Sequence, residues 1–293
     1  MEPDDDLGLF GPDSVTWRVH AGPIMPVAGL RSLYLQALHP RAIAGVTQNS
    51  SFRADPWGRL GRTLQYLDTV LYGTTAEAED AARRVRRRHA TMRATDPDTG
   101  EEFRVDDPEL LRWVHVAEVE SFLTVALGTG LRLTPAEADS YHTEQRRAAA
   151  LLGLDPATVP GTVADVADYY ADIRPQLRIT PDAAATFAFL SAPPLPTPPP
   201  TRLLRGLPLR LLINLGPPRL VWTGLATLAV SLLPAWARRH YGLPGLPTTD
   251  LSAAVSTRAL HLALSPIPRH LYDSPRHKQA IARATRLGVP LPA

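Results

Sequence analysis

Helix-start chemistry, repeated along the chain, constrains the fold more than any other feature of the sequence. In DDPELL (106–111) Asp107 precedes Pro108, and in TPAE (134–137), TPDA (180–183) and SPRH (274–277) a hydroxyl residue stands directly before a proline. TVAD (162–165) sets Thr162 three residues ahead of Asp165. A side-chain oxygen at such a position accepts from a backbone N–H of the first turn that has no partner inside the helix. Proline at the next position loses only an N–H that would go unused, and a carboxylate three residues on can close a capping box. Much of the proline content, 30 residues in all, therefore starts helices instead of breaking them.

Between these starts the apolar spacing is helical. Leu60, Thr63, Leu64, Leu67, Val70 and Leu71 form one stripe, and Leu111, Val114, Phe122 and Val125 another, on which His115 and Glu118 also fall. Strand-like alternation is nearly absent, the best case being EEFRV (101–105). The expected fold class is all-α, a single globular multi-helix domain of about ten or more helices. PPLPTPPP (193–200) reads as a polyproline connector. It divides an N-terminal tail (1–11) and a helical core (12–191) from a C-terminal helical section (202–293), with the connector itself at 192–201. The C-terminal section is Leu-rich and is expected to pack back on the core.

With 44% hydrophobic and 20% charged residues the chain is an ordinary folded protein. Its 31 basic and 29 acidic residues nearly balance, and every basic residue but Lys278 is arginine. The densest basic run, RRVRRRH (83–89), follows the acidic AEAED (76–80) and reads as a solvated helix face, so no nucleic-acid partner is expected. The chain has no cysteine, which excludes disulfides, zinc knuckles, iron–sulfur clusters and thiolate-ligated haem. Any metal must be held by His, carboxylate or Tyr. The acidic start MEPDDDLGLFGPDS lacks the pattern of a signal peptide, and a cytoplasmic location is expected. The uncharged stretch 220–236 would span roughly 25 Å as a helix, short of a bilayer core, and Pro234 interrupts it. It is expected to be a buried or interfacial helix, and it is where a peripheral membrane contact would form.

No H-E-x-x-H pair, G-x-S-x-G elbow or Gly-rich phosphate loop is present among these residues. What remains is single histidines on apolar helices. His115 is either a core imidazole bonded to a partner such as Glu118, one turn on, or an axial haem ligand in an apolar slot. His89 either meets a helix dipole at the end of its Arg-rich helix or lines the same pocket. Arg59, Arg62 and Thr63 share one helix face; they answer a buried carboxylate or an anionic ligand such as a haem propionate. His39, before Pro40, is expected to end a helix, as a structural cap or a pocket residue.

Five blocks in order, LFGPDSVTWRVHAG (9–22), LYLQALHPRAIAGV (33–46), FRADPWGRLGRT (52–63), ARRVRRRHATMR (82–93) and DPELLRWVHVAEVESFL (107–123), resemble the bacterial branch of the latex-clearing protein (rubber oxygenase) and MpaB-like oxygenase family. The resemblance implies a globin-reminiscent helical fold enclosing one haem b, with O2 chemistry on apolar substrates. It gives the axial, iron-binding role to His115 and places His89 near the haem. The distal helix of latex-clearing members carries Arg, then Lys-Thr three and four residues on; here the pattern stands as Arg59, then Arg62-Thr63. Arginine is a poor metal ligand because it stays protonated. Those members also use a glutamate base upstream of the distal arginine, and no carboxylate lies between Pro40 and Ala54 here.

The resulting expectation is a haem-b-dependent oxygenase acting with O2 on an apolar or lipid-like small molecule. Arg59, Arg62 and Thr63 are its expected catalytic residues, and His115, His89, Arg59, Arg62 and His39 its cofactor-binding residues. A haem peroxidase or haem-sensing protein on the same scaffold, and a cofactor-free helical protein peripheral to a membrane, are the alternatives. No motif specifies the substrate or an electron donor.

Overall fold

The cap signals place the helices where the spacing predicts them. The computed structural model describes residues 6–50, 53–196 and 216–291. Asp107, Thr134, Thr162, Thr180 and Ser274 each accept from a first-turn N–H, and Thr134 and Thr162 close full capping boxes with Glu137 and Asp165. The described elements run α1 (Val15–His20), α2 (Met25–Gln36), α3 (Pro40–Asn49), α4 (Pro56–Tyr72), α5 (Thr75–Thr91), β1 (Arg93–Thr95), β2 (Glu102–Arg104), α6 (Pro108–Gly128), α7 (Pro135–Leu151), α8 (Val163–Ile173) and α9 (Pro181–Ser191). They continue as α10 (Pro217–Ser231), α11 (Ala235–His240), α12 (Pro247–Leu264) and α13 (Pro275–Arg286). The fold is all-α, and EEFRV supplies the second strand of a short antiparallel hairpin in which Ala94 faces Phe103.

His39 departs from expectation. It begins a helix instead of ending one: its Nδ1 accepts from the Ala42 N–H at 3.4 Å as the cap of α3. Proline after it excludes helical geometry at His39 but suits the first position of the helix that follows.

The main core gathers α1, α2, α6, α7, α8, α10 and α11 around Trp113, Tyr34 and Tyr141, all fully buried. Within it lies a buried ion pair. Arg31 of α2 donates to both Glu120 oxygens on α6, at 2.5 and 3.0 Å, to Ser121 Oγ at 2.7 Å, and through Nε to the Leu232 carbonyl at 2.8 Å. Every guanidinium nitrogen is thus engaged, which is what makes a buried arginine tolerable. The contact ties α2 and α6 to the turn between α10 and α11.

That turn splits the uncharged stretch 220–236, as Pro234 predicts. α10 packs on α2 and α9 through Ala226, Leu228 and Ala229, while Leu220 and Val221 are exposed. Among the described residues no helix is long and apolar enough to cross a membrane. The second half of the polyproline connector, from Thr197 on, and the first part of the C-terminal section lie outside the described residues. At the other end, Asp6 accepts from the Thr75 backbone and hydroxyl, and Phe10 packs with Trp17 and Tyr72. Gly8 makes this approach feasible: its φ is +85°, and a Cβ there would lie 2.2 Å from the Gly73 carbonyl oxygen.

Candidate active site

His115 sits in the first half of α6, whose start is fixed by Asp107 and Pro108 and whose Trp113, Val116, Ala117 and Val119 are buried around it. The residue is 8% exposed, and its Nε2 is buried without a hydrogen-bond partner. Burial, with His142 nearby as a second cause, lowers its pKa to about 4. The imidazole is therefore neutral at physiological pH. An orphaned buried polar atom costs about 1–3 kcal/mol and in a native protein calls for an explanation.

Neither Glu118 nor Glu120, the two glutamates nearest it along α6, supplies the missing partner. Glu120 belongs to Arg31, Thr124 and Tyr170. Glu118 is raised to about 7 by burial and interacts electrostatically with Tyr66 and Tyr141, and no hydrogen bond joins it to His115 among the described residues. Among the described residues the local Glu118 partner that the sequence offered is therefore not bonded to His115.

The residue that sequence reasoning missed is His142. It lies on α7, is 3% exposed, and lines a cavity of about 10 Å³ with His115, Val119 and Val166. Burial lowers its pKa. The cavity admits about one water, so a larger group on His115 must use space beyond it. The signal was available: Ala138, His142, Gln145 and Ala149 share a helical face, and all four are buried. The polar surroundings DSYHTEQRR masked it.

The face of α4 that carries Arg59, Arg62 and Thr63 turns out differently from the core-facing stripe expected. Arg62 is exposed and pairs with Asp55 at 3.4 Å; Thr63 is exposed and donates to the Arg59 carbonyl at 3.2 Å. Leu64 is 53% exposed, and Leu60 and Leu67 are half-buried. The reason lies in how the helix is anchored. Its first turn is held by Trp57, which stacks edge-on against Trp222 at 5.3 Å and donates to the Pro194 carbonyl, and its buried residues, Thr69, Val70 and Tyr72, come in its last turns. The stretch between these anchors is left open.

Arg59 is half-buried, and its pKa is lowered by burial and by the like charges of Arg62 and Arg88. Three guanidinium groups therefore approach one another where α4 meets the end of α5. His89, half-buried in the last turn of α5, is lowered by burial and by Arg88, with Asp106 opposing. His39 is held near pKa 4 by burial, with its ring 6.2 Å from Trp113 of α6.

α4 and α6 share a landmark. Tyr72 Oη donates to the His20 carbonyl at 3.5 Å, and the His20 ring lies 4.4 Å from that of Phe122. Thr63 precedes Tyr72 by nine residues and His115 precedes Phe122 by seven, so both stand roughly 10 to 14 Å from it along their helices. The fold thus brings His115 together with His142, and Arg59 with Arg62, Arg88 and the neighbourhood of His89. His39 stands apart, at the first turns of α6.

Among the described residues no three or more His, Cys, Asp or Glu side chains are disposed to hold a metal ion. A bare ion would lack ligands here. A cofactor that brings most of its own metal donors would need one protein ligand, and the neutral His115, with its unpartnered Nε2, has the chemistry to supply it.

A family model described as "ER-bound oxygenase mpaB/B'/Rubber oxygenase, catalytic domain" matches residues 17–265, from within α1 to just past α12. No curated protein and no solved structure matches the chain.

Proposed function

As a member of the mpaB and rubber-oxygenase catalytic-domain family, this chain is an enzyme of the oxidoreductase class that uses O2, and we propose that it acts through a b-type haem held by His115 on an apolar, lipid-like small molecule. The observation that carries this reading is the buried Nε2 of His115, without a partner on an imidazole that burial keeps neutral. When bound, the haem would supply an iron centre able to activate dioxygen.

The protein's part is position and field. At pH 7 no proton competes for the His115 nitrogen, because its pKa is about 4. Valines and Pro160 around the neighbouring cavity keep bulk water from that side. Arg59 and Arg62, with Arg88 close by, form a cationic cluster suited to the two carboxylates of a haem. Arg62 is free to turn towards a ligand at little cost, since its exposed pair with Asp55 is worth about 1 kcal/mol or less. Arg62 and Thr63 then serve as donors to negative charge that develops during the reaction. His89, beside Arg88 in the last turn of α5, would border the haem on the side of that cluster. His39, whose Nδ1 is committed to its cap, contributes only as a wall residue beside Trp113. We assign a peripheral membrane contact to 220–236, supported by the exposure of Leu220 and Val221, 72% and 63%.

The test is consumption of O2 against consumption of peroxide by the haem-loaded protein, offered alkenes, terpenoids and lipids in turn. Substrate-dependent O2 uptake that is lost in His115→Ala is expected. Peroxide turnover without O2 uptake would replace the oxygenase reading with a peroxidase.

A further inference from the structure

A second cavity, of about 330 Å³, opens between α9, α10 and the start of α12 and shares no residue with the one beside His115. Its volume falls within the range of small-molecule sites. Phe187, Ala226, Val230 and Leu243 give it apolar walls, and Arg238 is set into them.

Arg238 is unusual for a side chain that reaches a cavity, being only 2% exposed. Its Nε donates to the Pro244 carbonyl at 3.0 Å, and its Nη1 to the carbonyls of Ser231 and Leu233 at 2.9 and 2.6 Å. Those bonds fix the guanidinium without neutralising it. Nη2 is buried and makes no hydrogen bond; it stands 2.7 Å from Asp250 Oδ1 as an ion pair without hydrogen-bond alignment. The Asp250 side chain is 59% exposed, so the counter-ion of this buried cation is one that water can draw away. A buried charge needs an anion close to it, and here that place is held loosely.

We infer that this cavity is a binding site for an apolar-tailed monocarboxylate, whose carboxylate takes the place of Asp250 at Arg238 Nη2 while its chain lies against Phe187, Ala226 and Val230. One guanidinium nitrogen is available, because Nε and Nη1 are occupied. That suits a single carboxylate better than a phosphate, which recruits several donors. The apolar walls select the tail. The inference does not rest on the haem reading, since none of its residues belongs to the His115 site.

Decanoate is a suitable probe, titrated calorimetrically into the purified full-length chain, with decanol as the uncharged control. Saturable binding of one decanoate is expected. Asp250→Asn, a change at an exposed residue, should tighten it by about tenfold, the scale of one charge-assisted hydrogen bond, and should leave decanol unaffected. Thr223→Trp, which places a ring at the exposed lining position on α10, should abolish binding while the thermal unfolding of the protein is retained. Absence of saturable decanoate binding, equal affinity in Asp250→Asn, or decanol binding as tightly as decanoate would overturn the inference. Undiminished affinity in Thr223→Trp would do the same, because decanoate would then occupy another site.

Discussion

Burial sets the protonation of the side chains nearest the candidate site, and two of them respond to pH with opposite sign. An unfolded histidine takes up its proton near 6.5, whereas His115 and His39 do so at about 4 and His20 at about 3. In that interval the unfolded chain binds more protons, so the stability these residues contribute is full above about 6.5 and falls as the pH drops. Urea unfolding of the haem-free protein should show a lower free energy at pH 5 than at pH 7.5, and His115→Leu should flatten that dependence by about 1.4 kcal/mol per pH unit. Glu118 behaves in the reverse way. Burial raises it from 4.5 to about 7, so folding loses stability as the pH rises through that range. Glu118→Gln should therefore stabilise the protein at pH 8 by about 1–3 kcal/mol and bring no such gain at pH 4. Equal unfolding free energies for wild type and Glu118→Gln at pH 8 would show that the carboxyl is already solvated. Neither shift could be read from the sequence, because it depends on which helices close over α6. His115 stood out since an imidazole interrupts an apolar stripe. His142 did not, since its neighbours in sequence are polar.

The elements were legible where their chemistry is local. A capping oxygen bonds within three residues of itself, so Asp107, Thr134, Thr162, Thr180 and Ser274 announce their helices without tertiary help. Thr134→Ala should cost about 1 kcal/mol in thermal or urea unfolding, measurable against Ser140→Ala, at an exposed position of the same helix, as a control. The orientation of α4 was not legible. Its stripe predicts an inward face, yet Trp57 and Tyr72 fix its two ends to α10 and α1 and leave Thr63 and Leu64 open to solvent. The Arg31–Glu120 pair likewise emerges only when α2 meets α6. Glu120→Ala should lower the unfolding free energy by about 3–5 kcal/mol because it strands the Arg31 charge. Replacing both with apolar residues, as Arg31→Met with Glu120→Leu, should recover much of that loss. A double variant no better than the single one would mean that the pair specifies packing in a way that apolar groups cannot replace.

On the scale of the whole molecule, one core runs from α1 through α6 to α11 and joins the C-terminal helices to the rest. The family match spans the same elements. The all-α class was readable because helical spacing and helix starts agree along most of the chain. The cavity at Arg238 was not, because its walls come from α9, α10, α11, the loop after α11 and the start of α12. The central claim is that the neutral imidazole of His115 is the one protein ligand a haem needs here. It is tested most directly by titrating haemin into the purified protein and into His115→Ala, following the Soret absorption and the unfolding temperature. The account predicts one haem per chain in the wild type, and loss of that complex in a variant that remains folded. A wild-type protein that forms no Soret-bearing complex, or a His115→Ala variant that binds haemin equally well, would contradict it.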